Sequence, residues 1–213
     1  MHITIHKDFY DNGDKIFDRA SFELDPGLTI LVGCNGAGKS TILLKLQEHC
    51  REHDIPCIKF NTLHDGGNNF SQMLLDRGMC DHLAQYMMSS EGERISHSLG
   101  GFVTKLNKFM DANGGEPDLV ILIDSVDSGL SLDNIVEIKR WIFHRIIEEN
   151  EHNTNLYIVV SANAYEMVRG ERCLLAQDLQ YTNIDSYERY RKVIIRSRNK
   201  KNKRYGWDKF EDK

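Results

Sequence analysis

Apolar residues in this chain gather into short unbroken runs, separated by longer stretches with a helical period. Leu28-Thr29-Ile30-Leu31-Val32, the run from Asp118 to Ile123 and the run from Leu156 to Ser161 are the clearest. Such runs predict strands buried on both faces of a parallel sheet. Residues 55–60 and 172–176 predict two more strands. Residues 2–7 and 16–24 predict strands ahead of the first run, with Asp11-Asn12-Gly13-Asp14 as the turn between them. The helical period covers residues 40–53, 70–88, 91–110, 132–150 and 185–198. Gly78 and Gly100-Gly101 interrupt two of these patterns, and Asn113-Gly114-Gly115 closes the third. In the fourth, Leu132, Ile135, Val136, Ile138, Ile142, Phe143, Ile146 and Ile147 form an apolar stripe. Strands alternating with helices predict an α/β fold, a mainly parallel sheet flanked by helices on both faces.

The first buried run leads into Gly33-Cys34-Asn35-Gly36-Ala37-Gly38-Lys39-Ser40-Thr41. This matches the phosphate-binding loop pattern G-x-x-x-x-G-K-[ST], and it lies between a strand and a helix as that pattern requires. Glycines let the backbone turn tightly and aim N–H groups at a phosphate. The helix starting near Lys39 adds the positive end of its dipole. The expected ligands are ATP and Mg²⁺. Gly33, Asn35, Gly36, Ala37, Gly38, Lys39, Ser40 and Thr41 are the expected nucleotide contacts, with the Lys39 ammonium on the phosphates and the Ser40 hydroxyl on Mg²⁺. Cys34 is expected to turn its side chain away and its N–H toward phosphate.

A second strand ends in a carboxylate, Val120-Ile121-Leu122-Ile123-Asp124, which places Asp124 at the sheet edge as a Mg²⁺ partner. Fold and loop together fit kinases, GTPases and ABC-type ATPases alike.

Two further runs narrow the choice. Asp124-Ser125-Val126-Asp127-Ser128-Gly129-Leu130-Ser131 resembles the end of the second nucleotide motif of ABC-type ATPases. Ser89-Ser90-Glu91-Gly92-Glu93-Arg94 resembles the signature of that family's soluble branch. Ser98-Leu99-Gly100-Gly101 is a rival match without the acidic residue. The resemblance covers roughly residues 1–176. It is nearest the heads of recombination-repair and structural-maintenance-of-chromosomes proteins, without a coiled-coil insertion. The run from Tyr157 to Glu166 is similar to small phage ATP-binding proteins.

The resemblance implies an ATPase domain over residues 1–184 that dimerises around ATP. Ser90, Gly92 and Glu93 would grip the terminal phosphate of the partner's nucleotide. Tyr10 would lie against adenine, or be an ordinary aromatic; Gln72 would sense Mg²⁺, or be a solvated helix residue. The family's general base follows the strand-ending Asp, where this chain has Ser125, and a hydroxyl is a poor proton acceptor. Asp127 is the candidate substitute, and Asn163 stands at the place of the switch histidine. Slow hydrolysis is therefore expected. A non-catalytic, ATP-dependent interaction switch is the alternative. A nucleotide kinase is a further one, though this chain lacks an Arg-rich lid.

Charge adds a partner. Residues 187–213 carry a net +7 and residues 1–186 a net −12, giving −5 overall. The expectation is a basic C-terminal helix and tail over residues 185–213 that meets nucleic acid or an acidic protein. Tyr187, Tyr190, Tyr205 and Trp207 are interleaved with its cations, as base stacking would use. Five cysteines without a C-x-x-C pair suit reduced thiols. His49, His53 and Cys57 lack a further ligand pair for zinc. No apolar run approaches a membrane span and no signal peptide is apparent, so the expected location is cytoplasmic, in the host cytoplasm if phage-encoded.

Overall fold

Alternating strands and helices assemble as a mixed, mostly parallel six-stranded sheet between two helical layers. The computed structural model describes residues 1–5, 15–61, 104–127, 131–148, 150 and 155–206. In chain order the elements are β1 (His2–Thr4), β2 (Ser21–Glu23), β3 (Gly27–Val32), α1 (Lys39–Glu52) and β4 (Cys57–Asn61). A helix α2 at 104–113 and strand β5 (Asp118–Asp124) follow. Helix α3 is built from Leu132–Ile138, Lys139–His144 and Arg145–Glu148. Then come β6 (Asn155–Ser161), α4 (Tyr165–Val168), β7 (Arg172–Leu175), β8 (Gln180–Asn183) and α5 (Tyr187–Tyr205).

The main sheet runs β4-β5-β6-β3-β7-β8, parallel throughout except for β8, which pairs antiparallel with β7. Strands β5 and β6 sit inside it, and their apolar runs are buried on both sides. One face packs Leu31, Val120, Leu122, Tyr157 and Val159 against α1. The other packs Ile30, Val32, Ile121, Ile123, Ile158 and Val160 against α2, α3 and α4. Strands β1 and β2 form a separate antiparallel pair, and their Ile3 and Phe22 join the α1 layer.

Three departures from the sequence reading have physical reasons. Strand β8 is polar, Gln180-Tyr181-Thr182-Asn183, because it is an edge strand and carries no buried run. Helix α3 relaxes to π spacing over Lys139–His144. That wider turn keeps Phe143 in the core while Trp141 points outward under the Arg140 guanidinium, 5.2 Å from its ring. Helix α5 continues seven residues beyond 198, ends at Gly206 in the left-handed conformation (φ 68°), and is docked on the body. The expected helix over 70–88, residues 91–103 of the expected helix over 91–110, and the Asp11–Asp14 turn lie outside the described residues. Among the described residues no helix is long and apolar enough to cross a membrane.

Candidate functional site

Strand β3 hands the chain to α1 on one face of the sheet. Its neighbour β6 hands it to α4 on the other. Adjacent strands whose connections diverge leave a crevice beyond their carboxyl ends, where α/β sheets bind ligands. A cleft of about 320 Å³ lies there. The turn after β3 contributes Asn35, Gly36 and Gly38, and the start of α1 contributes Lys39, Ser40 and Thr41. Asp124, Ser125 and Asn163 come from the ends of β5 and β6, and Ile16 and Tyr205 complete the lining.

The turn requires its glycines. A Cβ on Gly33 would lie 2.8 Å from that of Ala37. Gly38, at φ 93°, would bring a Cβ within 2.9 Å of both Ile16 and Phe17. Helix α1 starts at Lys39 with no side-chain cap and no acid in its first turn. Its first amides and dipole therefore face the cleft without a competing anion of their own.

Lys39 is the buried cation of the cleft, only 8% exposed. Its Nζ donates to the Gly33 carbonyl at 2.7 Å, to Asn163 Oδ1 at 3.0 Å and to the Cys34 carbonyl at 3.4 Å. Burial pushes its pKa below the ordinary 10.5, and Cys34, Asp127 and Asp124 oppose that shift electrostatically. Asp124 is buried at the end of β5, where the Ser161 hydroxyl donates to its Oδ1. Ser125 follows at φ 56°, a left-handed conformation that costs a side-chain-bearing residue about 1–2 kcal/mol. Its N–H is held by Ser161 Oγ at 2.9 Å.

Asn163 is fixed from three sides. Its side-chain oxygen accepts from Lys39, its backbone N–H donates to Asp127 Oδ2, and its carbonyl accepts from the Tyr190 hydroxyl. Asp127 Oδ2 also accepts the Ala164 N–H, so this carboxylate caps the β6–α4 turn. Asp127 does not line the cleft, whereas Ser125 and Asn163 do. Its Oδ1 is buried and has no hydrogen-bond partner among the described residues. Burial first, then Asp127, pushes the Tyr190 phenol up to about 12, so it remains a donor.

No protein-family model matches the chain, and no curated protein matches it.

Helix α5 crosses the turn. The Cys34 N–H, expected to face phosphate, instead donates to Ser197 Oγ at 3.1 Å, and Ser197 donates to Gln177 Oε1 at 2.9 Å. Lys201 Nζ donates to the Asn35 carbonyl at 3.1 Å. Tyr190 is buried, so it is no stacking platform for a partner's bases; Tyr187 is exposed and packs edge-on against Tyr165. Arg189, Arg191, Lys192, Arg198 and Lys203 are exposed. Ser197 escaped the sequence reading, and Lys201 and Tyr205 were read there as part of the basic tail and not as residues of the cleft. Their signal was the helical stripe Tyr190, Val193, Ile194, Ser197, Lys201, Arg204, whose second half is polar because it faces a polar turn. Tyr10, Gln72, Ser90, Gly92 and Glu93 lie outside the described residues. His49 and His53 stack at 4.1 Å, and no metal-binding cluster of three His, Cys, Asp or Glu occurs among the described residues.

Proposed function

We propose that this cleft binds ATP with Mg²⁺, and that the protein is an ABC-type P-loop ATPase that dimerises around the nucleotide and hydrolyses it slowly. One observation carries this reading. A buried ammonium, Lys39, and a buried carboxylate, Asp124, share one cleft at the switch point of the sheet, beside an uncapped helix N-terminus. Phosphate oxygens would take the place of the Gly33 and Asn163 oxygens around Lys39. The Ser40 hydroxyl and the Asp124 carboxylate are oxygen ligands of the kind a hard cation prefers, and both line the cleft. Mg²⁺ bound there would neutralise charge on the phosphates.

Lys39 also sets a pH dependence. A polyphosphate binds the protonated amine, whose pKa in the free protein is depressed. Affinity should be full below that depressed pKa and fall as pH rises through it, starting below 10.5. Binding in that window should take up protons. Calorimetry in buffers of different ionisation enthalpy reads the uptake; affinity and proton count both flat up to pH 10.5 would exclude Lys39 as the contact.

A second reading, a non-catalytic nucleotide-dependent switch, is favoured by the commitment of Asp127 Oδ2 to two backbone amides. With Ser125 at the base position, the candidate acceptor left on Asp127 is its Oδ1, which has no hydrogen-bond partner among the described residues. Mass measurement with and without ATP-Mg²⁺, combined with a phosphate-release assay, separates the readings. The ATPase reading expects a mass near double with ATP, no doubling with ADP, and slow release. A monomer with a non-hydrolysable analogue sinks dimerisation, and no release at all leaves the switch. The exposed cations of α5 support nucleic acid as the partner. Oligonucleotide affinity should then fall steeply with added salt, and binding indifferent to salt would count against it.

A further inference from the structure

The cleft has a polar interior and a rim that phosphate chemistry does not use. The rim residues are Ile16 and Tyr205, from opposite ends of the chain. Arg204 ties them together: its Nη1 donates to the Ile16 carbonyl, and its Nη2 meets Asp18 at 2.5 Å. Lys200 meets Asp18 at 2.6 Å and also pairs with Asp178. The last turn of α5 and the segment around Ile16 are therefore clamped to each other. Ile16 also abuts the glycine turn, since its Cγ2 would lie 2.9 Å from a Cβ on Gly38. Tyr205 is 38% exposed where it lines the cleft. A bare triphosphate has no use for an aliphatic group and an aromatic ring on the rim of its site. A nucleobase has, because its faces are apolar and its ring stacks on aromatic side chains.

We propose that Ile16 and Tyr205 form a base slot, so that α5 completes the site in cis and selects nucleoside triphosphates over bare polyphosphates. The base stacks on the Tyr205 ring, with Ile16 supplying apolar contact beside the glycine turn. This rests on the phosphate-site reading above and adds to it the part of the ligand beyond the phosphates.

The test titrates ATP-Mg²⁺ and tripolyphosphate-Mg²⁺ into the native protein and into Tyr205→Ala, Tyr205→Phe and Lys39→Ala. Loss of the stack should weaken ATP by about tenfold in Tyr205→Ala. Tripolyphosphate affinity should not change, and this also reports that the variant is folded. Tyr205→Phe keeps the ring and should match the native protein. Native ATP affinity in Tyr205→Ala overturns the slot. Equal losses for both ligands overturn it as well, because they mean a displaced helix. If the native protein binds tripolyphosphate as tightly as ATP, the slot fails while the phosphate site stands. If it binds neither, or if Lys39→Ala changes neither, the phosphate-site reading fails and takes the slot with it.

Discussion

Lys39→Ala is expected to weaken ATP binding at least tenfold while leaving the protein folded. The ammonium is the buried cation of the cleft, and hydrogen bonds to charged groups contribute about 1.5–3 kcal/mol each. Alanine removes that contact without adding bulk. The effect on folding should be small, because the depressed pKa of Lys39 shows that burying its charge already opposes folding. The three carbonyl-type oxygens it leaves, on Gly33, Cys34 and Asn163, border an open cleft and can take water instead. Calorimetric titration with ATP-Mg²⁺ beside a thermal melt separates the two quantities. Native affinity in a folded Lys39→Ala protein would refute the phosphate-loop assignment.

Asp127→Ala should be among the most destabilising single changes at the site, costing about 3 kcal/mol. It strips two backbone amides, those of Asn163 and Ala164, of a charged acceptor in a buried setting. Asp127→Asn retains one oxygen for those amides and should recover more than half of the loss in urea denaturation. The pair also bears on chemistry. If Asp127 Oδ1 accepts the proton of the attacking water, the folded Asn variant should lose phosphate release, because an amide is no base at neutral pH. If release is unaffected, Asp127 is an anchor for Asn163 and the base lies elsewhere.

The sequence exposed the central strands because β3, β5 and β6 are covered on both faces and must be apolar along their whole length. It exposed the glycine turn and Asp124 because steric limits and charge allow few residue types there. It did not expose β8, whose polar edge position leaves no run, or the last seven residues of α5. Those residues read as a basic tail for an outside partner because their partners within the chain, Asp18, Asp178, Asn35 and the Ile16 carbonyl, are polar as well. Periodicity detects apolar burial; it does not detect a polar face meeting a polar face. The role of Asp127 was hidden for a related reason. A carboxylate three residues past a strand can point into a cleft or back to a neighbouring turn, and the register of β5 against β6 decides it.

The contact between Cys34 and Ser197 spans 163 residues. Ends that far apart close late, because loop entropy must be overcome before such a contact stabilises anything. During synthesis the glycine turn and α1 are made before the helix that covers them. A nascent chain thus displays the turn with its Cys34 amide still open to solvent, until residues 187–205 have emerged and docked. The order of translation puts α5 after all six strands of the main sheet, so a chain stalled before it lacks the Tyr205 side of the cleft.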